Sequence, residues 1–188
     1  MAGSNEVLLV RHGETDDNAA ARFQGQHDTP LNDRGVEQSR SLARGLRDEG
    51  LRALYTSPLR RASATARIVG DALGLQPVVD DRLMEADAGD WSGRLIADVT
   101  AEAPEDWERW RRADPTFRFP GGESVAEQAA RIGAALADVA TGPLPALVVT
   151  HGGSIRSIGA IDRPPGGSIG NCALYRLPAV IAAPSTRT

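Results

Sequence analysis

The sequence predicts an α/β fold: a three-layer α/β/α sandwich with a mainly parallel central sheet, helices on both faces and a lid excursion. Three observations predict it. Short apolar runs of strand length recur along the chain. Stretches with helical periodicity and recognisable caps lie between them. Strand and helix therefore alternate, which implies right-handed crossovers and parallel pairing.

Glu6-Val7-Leu8-Leu9-Val10 is the first run, nearly all apolar, and fits a strand covered on both faces. Asn32 to Gly50 reads as a helix with Asn32 as N-cap and Gly50 past its end. Ala53 to Thr56 is a second strand. Ser57-Pro58 then reads as an N-cap serine with proline at the first helical position. Ala62, Ala66, Val69 and Leu73 share one face of that helix, and Gly74 stops it. Pro77-Val78-Val79 is a short strand. Ser124 and Glu127 form a capping-box pattern that opens a helix to about Ala140. Ala146 to Val149 is the third strong strand, and a last strand lies near Cys172 to Leu177.

The segment from Arg82 to Glu123 breaks the pattern. It holds all three tryptophans, Trp91, Trp107 and Trp110, with Phe117 and Phe119 and several prolines and glycines. It reads as an excursion over the sheet edge, the usual source of a lid, with its tryptophans serving packing or recognition.

Bulk composition narrows the function classes. A chain of 188 residues fits one domain, 1–188, large enough to bury roughly 70% of its unfolded surface. A net charge of −4 without charged runs argues against nucleic acid or an anionic membrane as partner. The single cysteine, Cys172, excludes an internal disulfide and reads as a small buried apolar residue. No apolar run approaches ~18 residues and the first six residues lack a signal-peptide pattern, so a cytoplasmic location is expected. All 21 basic residues are arginine, so any bound anion must be held by arginine, histidine, amides or helix ends.

Three polar clusters follow the strand runs: Arg11-His12-Gly13, Ser57 to Arg61, and His151-Gly152-Gly153. In parallel sheets ligands bind beyond the carboxyl ends of strands, so the three clusters should share one site. Arginine and histidine there suit a phosphoryl group, whose oxygens need charge-assisted, forked donors. Arg61 falls in the first turn of its helix, where amides also favour anions. Arginines beside His12 would keep its ring neutral and nucleophilic. A proton donor should be a partly desolvated lid carboxyl, and Glu85 qualifies, with Asp87 and Asp90 sharing its loop. His27 reads as a mouth or solvent residue rather than the third member of a metal triad with His12 and His151. Arg109, Arg111 and Arg112 read as a solvated helix face.

These residues carry a family resemblance. The segments are Leu9-Val10-Arg11-His12-Gly13-Glu14-Thr15 with Asn18; Phe23-Gln24-Gly25 running on to Asp28-Thr29-Pro30-Leu31; Ser57-Pro58-Leu59-Arg60-Arg61-Ala62 with Thr65-Ala66; and Val149-Thr150-His151-Gly152-Gly153-Ser154-Ile155-Arg156. Weaker matches are Glu85 to Gly93 and Pro120 to Ser124. In this order, from about residue 7 to 177, they resemble the histidine phosphatase superfamily, which includes cofactor-dependent phosphoglycerate mutases.

The resemblance implies a phosphohistidine on His12. It implies phosphoryl clamping by Arg11, Arg61 and His151, and proton transfer by Glu85. It places Asn18, Gln24, Gly25 and Gly152 around the phosphate or substrate, with no metal and no cofactor. The expected partner is a small phosphorylated metabolite, bound by a monomer or homodimer. The favoured activity is hydrolysis of small phosphomonoesters. A mutase is the alternative, but mutases of the family are longer and carry Glu-Arg-His-Tyr-Gly where this chain has Glu85-Ala86-Asp87-Ala88-Gly89. A non-catalytic phosphoester-binding module is a third reading, set against the intact catalytic residues. The family usually has a longer helix after its second histidine. Here Arg163-Pro164-Pro165-Gly166-Gly167 must cut it short, and the tail after Pro178 is expected to be loosely ordered.

Overall fold

The computed structural model describes residues 5–159 and 167–178. Its centre is a sheet of five strands: β1 (Glu6–Arg11), β2 (Ala53–Thr56), β3 (Pro77–Val79), β4 (Ala146–Thr150) and β5 (Leu174–Pro178). The spatial order is β3-β2-β4-β1-β5. The first four strands pair in parallel, and β5 joins β1 antiparallel. The expected α/β/α sandwich with a mainly parallel sheet is what forms.

The strand residues alternate between two apolar layers, as a pleat with period two requires. Val7, Leu9, Ala146 and Val148 pack with Ile132, Leu136, Val139 and Ile155 on one face. Leu8, Val10, Leu147 and Val149 pack with Ala43, Leu46, Ala62, Ala66 and Val69 on the other. β1 and β4 are thus covered on both sides, which is why they read as unbroken apolar runs.

Seven α-helices surround the sheet among the described residues: α1 (Asp16–Ala19), α2 (Asp33–Gly45), α3 (Arg60–Leu73), α4 (Ile96–Glu102), α5 (Pro104–Arg111), α6 (Val125–Ala140) and α7 (Gly152–Ile158). Asn32 caps α2 by accepting from Gly35 N–H. The helix stops at Gly45, short of the expected Gly50. Ser124 and Glu127 form the expected capping box of α6, and Gly74 ends α3 in the left-handed conformation. The Ser57 cap is a correction. α3 begins at Arg60 with Leu59 at the cap position and no side-chain cap bond. Ser57 Oγ is committed elsewhere, as described below.

The lid carries its own core. Phe23, Trp91, Phe117 and Phe119 are buried together with Val99 and Val125, and their rings meet mostly edge-to-face. α7 has seven residues and ends at Gly159 in the left-handed conformation, so it is short as expected. Pro164, Pro165 and the tail beyond Pro178 lie outside the described residues. Cys172 is half-buried, not buried, with φ of 55°. Its thiol is nevertheless pushed up to about 11 by burial.

Candidate active site

Three neighbouring parallel strands hand their next polar residue to one edge. His12 follows β1, Ser57 follows β2, and His151 follows β4. The ladder continues past the strand ends: His12 N–H donates to the Thr150 carbonyl at 3.0 Å, and Ser57 N–H to that of Val149 at 3.1 Å. The His12 and His151 ring centroids lie 5.2 Å apart. Both rings are buried.

Hydrogen-bond bookkeeping assigns the protons on each ring. His12 Nδ1 lies 2.7 Å from the Gly13 carbonyl oxygen, which can only accept, so Nδ1 carries the proton. His12 Nε2 lies 3.2 Å from Arg61 Nε, which can only donate. Nε2 therefore holds a lone pair. Burial first, then the charges of Arg11 and Arg61, holds the His12 pKa well below the ordinary histidine range. His151 Nε2 lies 2.8 Å from Ser57 Oγ. That oxygen also accepts from Leu59 N–H at 3.3 Å, which leaves its own proton and its second lone pair for His151 Nε2. When the Ser57 hydroxyl donates to Nε2, the His151 proton sits on Nδ1. Burial, followed by the charges of Arg61 and Arg11, keeps this ring neutral as well.

The backbone under His12 is held by contact rather than by side chains. A Cβ on Gly13 would collide with the Gly35 carbonyl, and one on Gly35 with the backbone of Glu14. The His12 turn thus rests directly on the start of α2, which only glycine at both positions permits. Gly13 N–H also donates to Thr65 Oγ1 at 3.0 Å.

Arg61 is 1% exposed, and burial pushes its pKa down to about 10. Its Nη1 and Nη2 donate to the carbonyls of His27 and Gly25 at 2.6 and 2.7 Å. Together with the bond to His12, three of its five N–H donors are fixed. Arg11 donates from Nη1 to the Ile169 carbonyl at 2.5 Å. Among the described residues, Arg11 Nε, a donor, and His151 Nδ1 are buried nitrogens without a hydrogen-bond partner. Both flank His12, and buried polar groups are rarely left unpaired except where a ligand or function accounts for them.

Glu85 arrives from the lid. Its Oε1 accepts from Ala86 N–H at 3.0 Å and Gln128 Nε2 at 2.9 Å, and its Oε2 from Gly153 N–H at 2.8 Å. A Cβ on Gly153 would overlap the carboxylate, so the second glycine after His151 exists to let Glu85 in. Neither Asp87 nor Asp90 lines the cavity, which singles Glu85 out from the two carboxyls that share its loop.

The remaining sequence candidates also converge. Arg11, His12, Asn18, Gln24, Gly25, Arg61, Glu85 and Gly152 all line one cavity of about 510 Å³. Several hold structure too. Asn18 pairs with Thr15 in a capping box at α1, Gln24 Oε1 accepts from Thr15 Oγ1, and Gly25 contributes the carbonyl that ties Arg61. His27 is exposed and joins through its carbonyl alone. Among the described residues no three histidine, cysteine or acidic side chains gather as a metal centre requires. Arg111 is a correction: it lines the cavity, while Arg112 is exposed.

Several residues at the site escape the sequence reading. Ser57 read as a helix cap. Gln128 left a visible signal: it is a buried polar residue three positions after Val125 and four before Ile132, on the apolar stripe of α6. Arg131 grips both Glu123 carboxylate oxygens and the carbonyls of Arg82, Met84 and Glu85, fixing the loop that carries Glu85. Asn171 bridges the His12 carbonyl at 3.0 Å and Asn18 Oδ1 at 3.1 Å, with no periodic signal around it.

Comparison with known proteins places the chain in a family. The chain is 39% identical over 134 residues to phosphoserine phosphatase 1 of Hydrogenobacter thermophilus, covering 71% of this chain and 64% of that protein. It spans less than two thirds of that relative. It is 42% identical over 154 residues to a probable phosphoglycerate mutase, GpmB, of Enterobacter sp. (strain 638), covering 78% of this chain and 69% of the relative. Among solved structures, a mycobacterial glucosyl-3-phosphoglycerate phosphatase in complex with VO3 superposes with a TM-score of 0.81 at 35% identity, over 91% of this chain and 90% of that one. No helix among the described residues is long and apolar enough to cross a membrane. The histidine phosphatase superfamily (branch 1) matches residues 7–177, and the chain belongs to it.

Proposed function

We propose that the protein is a metal-independent phosphatase acting on small phosphomonoesters through a phosphohistidine at His12. One observation carries the reading: a buried imidazole whose Nε2 holds a lone pair beside a tied arginine and two unpartnered buried nitrogens. In the reaction, His12 Nε2 attacks phosphorus and the ester P–O bond breaks. Glu85 gives a proton to the departing oxygen, which leaves as an alcohol. Arg11 Nε, His151 Nδ1 and the two remaining N–H groups of Arg61 hold the equatorial oxygens, where charge develops. Asn18, Gln24, Gly25 and Gly152 wall the phosphoryl end. Glu85, now ionised, takes a proton from water as its oxygen attacks the phosphohistidine. The P–N bond breaks, releasing inorganic phosphate and restoring both groups.

Among curated relatives, the one named a phosphatase supports this reading, and the one named a probable mutase stands for the alternative. The loop Glu85-Ala86-Asp87-Ala88-Gly89 lacks the bulky polar residues of mutases, which favours water as the acceptor. The decisive measurement is phosphate release from a panel of phosphomonoesters, with and without a chelator, using His12→Ala as the control. Chelator-resistant release that vanishes in the variant is expected. Exchange between 2- and 3-phosphoglycerate with little phosphate release would make the protein a mutase. Phosphoester binding without turnover would make it a binding module.

A further inference from the structure

The proposed phosphate clamp accounts for only part of the cavity lining. A volume of about 510 Å³ falls in the range of sites that enclose whole small molecules. The lid supplies Ala86, Ala88, Ile96, Trp107, Trp110, Arg111 and Phe119 to the rest. Ile96, Trp107 and Trp110 are half-buried and line this part, whereas Trp91, which belongs to the lid core alone, is 3% exposed. The two outer indoles pack against the lid core and also line the cavity. They lie 5.1 Å apart and tilt by 35°, and Phe23 meets them at 5.9 and 5.1 Å. Arg156 lies over the Trp110 ring at 4.6 Å. This wall is aromatic and braced, because each ring packs on another. It also adjoins the clamp, since Phe23 directly precedes Gln24 and Gly25, and Gly25 ties Arg61.

We propose that this wall is a leaving-group subsite, and that the substrate is a phosphomonoester whose leaving group presents a ring face to Trp107 and Trp110. The ring can be aryl, nucleoside or glycosyl, since each offers a flat or apolar face to an indole. A bare three-carbon chain would leave the indoles wet. The inference deepens the phosphatase reading and rests on it.

Two measurements test it separately from that reading. The first compares kcat/KM for phenyl phosphate, a nucleoside 5′-monophosphate and glucose 6-phosphate with glycerol 3-phosphate, phosphoserine and 3-phosphoglycerate. At least one ring ester should exceed every chain ester about tenfold, chiefly through KM, as one stacked ring supplies. The best of the three ring esters identifies the kind of ring. The ratio of ring to chain ester should collapse in Trp107→Ala and survive in Trp107→Phe. A chain ester at the top, or a ratio unmoved by Trp107→Ala, overturns the subsite. The second is calorimetric binding of phenylphosphonate and methylphosphonate, neither of which can be turned over. Tighter binding of phenylphosphonate supports the subsite even if no ester is hydrolysed, in which case the phosphatase reading alone fails. Equal binding of the two overturns the subsite.

Discussion

Ser57 Oγ and His151 Nε2 lie 2.8 Å apart, so the residue after β2 holds the ring of the residue after β4. A hydrogen bond to one ring nitrogen orients an imidazole, and where the hydroxyl donates, it holds the proton on the other nitrogen. Replacing Ser57 by alanine should lower kcat/KM roughly 10- to 100-fold, the usual loss when such a partner is removed. Nitrogen-15 shifts of His151 should move from a single Nδ1–H tautomer to a mixture. Lost activity with an unchanged tautomer would reduce Ser57 to a packing role.

Arg61→Lys should be far from conservative. The fork that reaches Gly25, His27 and His12 becomes a point charge on a flexible stem. With charge-assisted bonds worth ~1.5–3 kcal/mol each, kcat/KM should fall at least about 100-fold. Activity within a few-fold of the parent protein would remove Arg61 from the clamp.

Gly153→Ala isolates the proton donor. The added methyl meets the flexible end of Glu85 rather than backbone, so the fold should persist while the carboxyl is displaced. A misplacement of about 1 Å can cost on the order of 100-fold in rate. The loss should fall on kcat/KM for alkyl phosphates, which reports transfer to His12 and not the later hydrolysis that Glu85 also serves. It should be much smaller for p-nitrophenyl phosphate, whose leaving group departs without a proton. Equal losses on both esters would contradict Glu85 as the acid.

Stability should drop on mild acidification. His12 and His151 are held neutral when folded, with pKa values well below the ordinary range. The unfolded chain protonates both near pH ~6.5, so below that value the unfolded state binds more protons and gains. Each buried histidine should cost about 1.4 kcal/mol per pH unit as pH falls from ~6.5 toward its folded pKa. Urea unfolding at pH 7.5 and 5.5 measures this. A His12→Asn, His151→Asn double variant should flatten the slope, and an unaltered slope would disprove the assignment.

Much of this molecule is visible in its sequence because chemistry and periodicity coincide. β1 and β4 are apolar runs because both faces are covered, and Asn32, Ser124 and Gly74 mark helix ends by their own side-chain or backbone preferences. Arg11, His12 and His151 stand at strand ends and Arg61 in the first turn of the helix after β2, where topology brings them together. The misreadings share a cause as well. Ser57-Pro58 satisfies the local rule for a helix start, yet the serine hydroxyl finds His151 across the sheet, and a tertiary bond outweighs the cap. Arg111 and Arg112 are adjacent and look alike, and only the path of α5 over the cavity separates them. Asn171 sits in irregular backbone, where no period exists to read.

The two carbonyl ties on Arg61 have a kinetic consequence. The guanidinium is immobilised during folding, so the entropic cost of ordering it is not charged to each binding event. Inorganic phosphate meets the same ready-made grip as the ester it came from and lacks only the contacts of the departed alcohol. In the proposed phosphatase, product should therefore linger, and added inorganic phosphate should slow turnover. Rigidity at a single guanidinium would thus couple throughput to the phosphate status of the surroundings.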